Sequence, residues 1–112
     1  MNTSLFDIQI NGFSGVDFQD PLLDGIALRR AVDGLAEHGT RRFFATLITD
    51  SLDRLEAKFS NIERLRANDP AAFAAVCGYH LEGPWLSAEP GYRGAHQAEF
   101  IETPDIRQFE RL

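Results

Sequence analysis

Cysteine is nearly absent from this chain. Cys77 stands alone, so no disulfide can close within it, and a reducing, cytoplasmic setting is expected. No apolar run approaches the roughly eighteen residues that a membrane span needs. The opening stretch MNTSLFDIQIN has neither a basic n-region nor a long apolar h-region, so it does not read as a secretory leader. Positive charge is also in short supply: 11 Lys and Arg stand against 17 Asp and Glu, a net −6 with the acids spread along the whole chain. Phosphate backbones are bound by basic patches, so a nucleic-acid surface is not expected. Also missing are a Walker-type loop, a G-x-G-x-x-G turn, a nucleophile elbow and paired-cysteine zinc spacing.

What is present suits a folded domain. Hydrophobic residues make up 44% of 112 positions, enough for one core, and no linker or internal repeat divides 1–112. Residues 5–10, LFDIQI, alternate, with Leu5, Asp7 and Gln9 on one face and Phe6, Ile8 and Ile10 on the other. The following NGFSGVDFQDP reads as loop. Asn11-Gly12 could be a hairpin turn, but no second alternating run follows it promptly.

Asp24 can cap a helix over 25–38, whose stripe is Leu28, Ala31, Val32 and Leu35, with His38 and Gly39 at its end. The continuous run FFATLI at 43–48 suits a strand of a parallel sheet. Thr49-Asp50-Ser51 offers caps for a helix over 52–67, and Asn68-Asp69-Pro70 stops it. A third strand is expected at 75–81. Thr103-Pro104 would cap a last helix with Ile106 and Phe109 facing inward. Alternating strands and helices imply an α/β fold with a parallel sheet. Three βα units are the opening of a barrel that takes roughly 250 residues when complete, so the expected fold is a partial (β/α)8 TIM barrel.

In such a fold, function gathers at the C-terminal ends of the strands. Three ends are visible: Gln9-x-Asn11, Thr49-Asp50 and His80-x-Glu82. Period two puts Gln9 with Asn11 on one face, and His80 with Glu82 on one face. The stretch HLEGPWLSAEPGYRGAH, 80–96, is the most informative. Its acid sits where an apolar strand turns into a loop shaped by glycine and proline. Glu82 reads as a metal ligand, a general base or a surface acid. His80 reads as a hydrogen-bonded core histidine or a ligand, and His96 as a group that orients a substrate oxygen or a plain loop residue. The amides of Gln9 and Asn11 could hydrogen-bond a ligand or merely satisfy loop backbone. Trp85 covers the sheet edge or walls a pocket. Arg29-Arg30 and Arg41-Arg42 read as solvated, and Cys77 as packing.

DIQINGFSGVDF at 7–18, ATLITD at 45–50 and HLEGPWLSAEPGYRGAH at 80–96 resemble the N-acetylglucosamine-6-phosphate deacetylases of the amidohydrolase superfamily. HLEGP followed by GAH is the most specific part. The resemblance implies a (β/α)8 barrel with a small accessory β-domain, and metal-assisted removal of acetate from an amino sugar phosphate. It implies that Glu82 binds one divalent metal ion, zinc being the expectation, and that Ala95 (through its backbone) and His96 contact the substrate. Gln9-x-Asn11 stands where many amidohydrolases carry His-x-His, and the Gln-x-Asn version goes with one metal rather than two. Ala45 replaces the proline usual before TLIT. The family's two later metal histidines, its catalytic aspartate and its phosphate-holding arginine would lie past Leu112. The chain is therefore expected to be an incomplete part of such an enzyme, inactive alone, or to be completed by a partner chain. Two other readings stay open: an amidohydrolase for another amide, and a non-catalytic α/β module that forms a homo-oligomer through open sheet edges.

Overall fold

The chain is described here from a computed structural model covering residues 4–112. Met1, Asn2 and Thr3, part of the stretch read against a leader, lie outside the described residues. Three strands form a parallel sheet in the order β1-β4-β5, with β1 at Leu5–Ile10, β4 at Thr40–Ile48 and β5 at Val76–Glu82. Between them in sequence lie α1 (Gly25–Glu37), α2 (Leu52–Ala67) and the short α3 (Pro70–Ala75). A last helix, α4, spans Ile106–Arg111. The alternation of α and β and the parallel pairing agree with the sequence reading.

The helices cover one face of the sheet. Phe43, Ala45 and Leu47 of β4 point to that face and are fully buried. They meet the α1 stripe of Leu28, Ala31, Val32 and Leu35, and Leu55, Ile62 and Leu65 of α2. Tyr79, the neighbour of Ala45 on β5, packs its ring edge-on against Phe59 of α2. Its hydroxyl donates to Glu63 Oε1 at 2.5 Å. Burial and that carboxylate together hold the phenol well above its ordinary pKa.

The other face carries Phe44, Thr46 and Ile48, in register with Gly78, His80 and Glu82. Gly78 leaves room there: a Cβ at this position would lie 3.1 Å from the Phe44 ring, which would have to shift by a few tenths of an ångström. Phe6 and Ile8 remain exposed beside this face, and Ile8, Phe44 and His80 line an open cavity with Trp85 and with Phe109 of α4.

Local chemistry sets the helix ends. Asp24 caps α1 by accepting from Ala27 N at 2.8 Å. Ser51, of the three candidates, caps α2. Asn68 ends α2, within the expected Asn68-Asp69-Pro70 stop, and Asp69 also caps α3, with Pro70 at the first helical position.

Several expectations need correction. The stretch read as loop contains a small hairpin, β2 (Gly12–Phe13) against β3 (Val16–Asp17). Its turn is Ser14-Gly15, both at positive φ, as two-residue hairpins prefer. Asn11-Gly12 is not that turn. The cap of α4 is Asp105, which accepts from Arg107 N, and not Thr103. Ile106 and Phe109 face solvent, 67% and 58% exposed, because α4 lies at the margin of the molecule. Cys77 is exposed as well, on the edge strand, so it does not pack the core.

The strict alternation of β1 fails for a definite reason. Asp7 pairs with Phe43 and Ile10 with Ala45. Three steps along β1 thus match two along β4, which is a one-residue bulge. Phe6 meets Phe44 on the open face, ring centroids 5.2 Å apart. Ile10, expected on the same side as Phe6, instead packs against the helix-side core.

Beyond Ala45 no β1 residue pairs with β4, and a side chain takes over. Gln19 donates from Nε2 to Thr46 O at 2.8 Å and accepts from Ile48 N at 3.0 Å through Oε1. Its amide acts as one further peptide unit of the ladder. Gln19→Ala leaves both backbone groups without this partner and should cost about 2 kcal/mol, read as a lower urea midpoint with an unchanged slope.

Candidate functional site

The site is assembled where β1, β4 and β5 end. Glu82 is the last residue of β5, as the sequence suggests. Its Oε2 accepts from Gln9 Nε2 at 3.0 Å, across the end of β4. Its Oε1 lies 3.5 Å from His96 Nε2. The Glu82 carboxylate is one-third exposed and the His96 ring 17% exposed, so the pair sits in a mouth open to solvent. The loop after Glu82 turns at Gly83, with φ +92, and brings His96 back over the strand ends.

His96 is held from its other side. Its Nδ1 lies 2.7 Å from the Thr49 hydroxyl. Thr49 is buried and its Oγ1 is also 3.4 Å from the Glu82 carbonyl oxygen. The sequence places Thr49-Asp50 among the three strand ends and also reads Thr49 as a possible helix cap, but assigns its hydroxyl no partner at the site. The available signal was its place one residue past the apolar run of β4, where a strand end faces the site.

The remaining candidates divide. Gln9 reaches the site. Asn11 does not bond it: the chain bends after β1, and the Asn11 carbonyl accepts from Phe18 N while its side chain is exposed. Ala95 is exposed beside His96. His80 shares a face with Glu82, but its Nδ1 is buried without a hydrogen-bond partner among the described residues. The reading of a hydrogen-bonded core histidine is not met at that nitrogen. The cross-strand Thr46 Oγ1 is also buried and unpartnered. Trp85 is half-buried, donates to Gln108 Oε1 at 2.9 Å and lies against Phe109, which fits a cover over the sheet margin. Arg29, Arg30, Arg41 and Arg42 are exposed.

Asp50 is built for another task. A cavity of about 360 Å³ beside α2 is lined by Gln19, Asp50, Arg54 and Lys58. Burial alone would raise the Asp50 carboxyl. The Lys58 ammonium at 2.8 Å, the Ser51 N–H and Arg54 outweigh it and hold Asp50 below the usual carboxylate range. This cavity is not where Glu82, Gln9 and His96 meet.

With the geometry described, known proteins can be set beside it. No protein-family model matches the chain. An N-acetylglucosamine-6-phosphate deacetylase of Danio rerio is 38% identical over 100 residues, covering 87% of this chain and 23% of that protein. The Bacillus subtilis enzyme of the same name is 30% identical, covering 96% and 26%. The chain is a relative of the N-acetylglucosamine-6-phosphate deacetylases. It spans about a quarter of their length, in the N-terminal part. The crystal structure of the Mycobacterium smegmatis deacetylase matches with TM-score 0.78 at 28% identity, over 97% of this chain and 29% of that one. The Thermotoga maritima deacetylase matches with TM-score 0.80 at 24% identity, over 98% and 28%, which speaks for the α/β fold.

Whether these residues fit a metal ion depends on the donor set. Glu82 offers a carboxylate in an open mouth, a sound ligand for a divalent ion. Among the described residues no three His, Cys, Asp or Glu side chains come together. Glu82 and the side chains around it are thus not a full ligand set by themselves among the described residues.

Because Asp50 is held below its unfolded pKa, its contribution to stability is present above the unfolded value and is lost as pH falls through the folded value. Asp50→Asn should therefore destabilise the chain near neutral pH. The difference from wild type should shrink toward zero on acidification, as followed by thermal unfolding across a pH series.

Proposed function

We propose that this chain is the segment of a metal-dependent N-acetylglucosamine-6-phosphate deacetylase that supplies its glutamate ligand. The observation that carries this is the convergence of Gln9 and His96 on Glu82 at the ends of the parallel strands. The three-stranded sheet is then the opening of a (β/α)8 barrel, and its face turned away from α1 and α2, with Phe44, Thr46 and His80, is barrel interior. Similarity to named deacetylases over 87% or more of the chain supports the substrate class.

In this reading Glu82 is one ligand of a single divalent ion, zinc by preference. A bound metal polarises the amide carbonyl and lowers the pKa of an attacking water. The chain's own residues do the rest of their work by position. The Gln9 amide fixes one carboxylate oxygen, so the other keeps its direction. Gln9-x-Asn11 stands where many amidohydrolases carry His-x-His, and the Gln-x-Asn version goes with one metal rather than two. His96 and the Ala95 backbone, both on the loop over the strand ends, lie where an amino sugar phosphate would be met. The further ligands, the proton-shuttling aspartate and a phosphate-holding arginine belong outside residues 1–112, and the chain by itself does not turn over substrate. The setting is cytoplasmic. Among the described residues no helix is long and apolar enough to cross a membrane.

A second reading has its own observation. Among the described residues β1 and β5 each pair on one side only, and Phe6 and Ile8 lie exposed next to the open face. Such edges favour pairing with a second copy, so a homo-oligomeric, non-catalytic module is the alternative.

The product expressed from the native locus should release acetate from N-acetylglucosamine 6-phosphate. The same product with Glu82→Gln should lose its divalent metal, read by elemental mass spectrometry, and fall in activity by more than a hundredfold, a range consistent with loss of a metal's catalytic contribution. Unchanged metal content would remove Glu82 from the ligand set. A native product of 112 residues that forms a defined oligomer and releases no acetate would favour the module.

A further inference from the structure

Lys58 is the single lysine of the chain, against ten arginines. It is not an exposed, solubilising lysine. Its side chain is only 11% exposed, and lysines that buried are seldom found without a partner. The partner is Asp50 Oδ2, which accepts from Lys58 Nζ at 2.8 Å. An ammonium carries three N–H donors, and among the described residues this carboxylate is the one acceptor it meets. Two donors remain, on a side chain that lines the cavity of about 360 Å³ between α2 and Gln19.

The walls of that cavity are already fixed. Both amide atoms of Gln19 are bonded to the β4 backbone, at 2.8 and 3.0 Å. Asp50 also accepts from Ser51 N at 2.8 Å. Arg54, one turn before Lys58 on α2, reaches the same carboxylate at 3.4 Å and is otherwise well exposed. Pro21 and Ala57 add apolar surface. Two cations thus share one acid, and Asp50 is the only acid in the lining. Cations at i and i+4 on a helix repel each other, so one positive charge is left uncompensated. A monoanion placed there would set two carboxylates against two cations. A divalent cation would be repelled, and a phosphate monoester carries more negative charge than the pair has left to neutralise. The volume exceeds a bare carboxylate and falls in the range of small-ligand pockets.

We propose that the cavity between α2 and Gln19 binds a small organic carboxylate, whose oxygens accept from the Lys58 donors that Asp50 leaves and from the Arg54 guanidinium, while its apolar part lies on Pro21 and Ala57. None of Gln9, Glu82 or His96 lines this cavity, so the ligand is held by a different set of residues from those that carry the deacetylase reading.

The test is isothermal titration of sodium butyrate into the product expressed from the native locus, at constant ionic strength, with acetate and inorganic phosphate as parallel probes. Wild type should bind butyrate more tightly than acetate, because the apolar walls add to the charge. Arg54→Gln, at an exposed position, should weaken butyrate binding about fivefold, the upper end for a solvent-exposed ion pair. Lys58→Met should abolish it. Arg64→Gln removes the same charge from an exposed position of α2 outside the cavity and should change nothing. Lys58→Met leaves Asp50 without its nearest partner, so its thermal unfolding is followed alongside, and Arg54→Gln decides if that variant does not fold. Wild type that binds no butyrate overturns the proposal. So does butyrate binding that Arg54→Gln leaves unaltered, or that Arg64→Gln weakens equally. Phosphate bound more tightly than butyrate and lost in Arg54→Gln overturns the carboxylate. Release of acetate from the amino sugar phosphate bears on Glu82 and leaves each of these outcomes as it stands.

Discussion

The structure depends on β4 being paired on both sides in the same direction. A strand so placed has its backbone satisfied by its neighbours, and its side chains alternate between two quite different environments. Phe43, Ala45 and Leu47 are dry against three helices, while Phe44, Thr46 and Ile48 look the other way. Parallel pairing also forces every connection to cross back over the sheet, and right-handed crossovers in the order β1-β4-β5, which advances in one direction, put α1, α2 and α3 on one side. It further puts the ends of β1, β4 and β5 at the same rim, so polar residues distant in sequence become neighbours. Gln9 and Glu82 are 73 positions apart and share a hydrogen bond.

Much of this frame was legible from pattern. The stripes of α1 and α2 and the unbroken run of β4 announce themselves by period, and Asp24 behaves as its place before an apolar helix suggests. Glu82 was recognisable because a lone acid between leucine and Gly-Pro fits a strand end and little else. His96 was harder, since a histidine in a glycine-bounded loop carries no period, and its approach to Glu82 depends on how that loop closes.

What was not legible has physical reasons. The β2–β3 hairpin is too short to show alternation, and its turn is marked by Ser14-Gly15, a pair less telling than Asn-Gly. Asp69-Pro70 reads equally as the end of one helix and the start of the next, and it is both. The exposure of Cys77 follows from β5 lying at the edge of the sheet, a matter of strand order that one sequence does not reveal. Thr49 was visible as a strand end, but Thr-Asp-Ser before a helix also suggests a cap, and only the folded loop sets its hydroxyl against His96. His80 Nδ1 and Thr46 Oγ1 stay unpartnered among the described residues, on the face of the sheet turned away from α1 and α2.

The bulge in β1 has a consequence for how a short strand can serve two masters. Six residues of regular strand present three side chains to each side in fixed phase. One extra residue resets that phase midway, so the strand's tip obeys a different rule from its root. Ile10 is thereby released to join the buried layer while Gln9, its immediate neighbour, extends an amide toward the rim. A hydrophobic anchor and a polar instrument end up side by side in the chain yet on opposite sides of the sheet's working end. The position of the amide is thus referenced to the core through a single peptide unit, the shortest mechanical linkage a polypeptide offers.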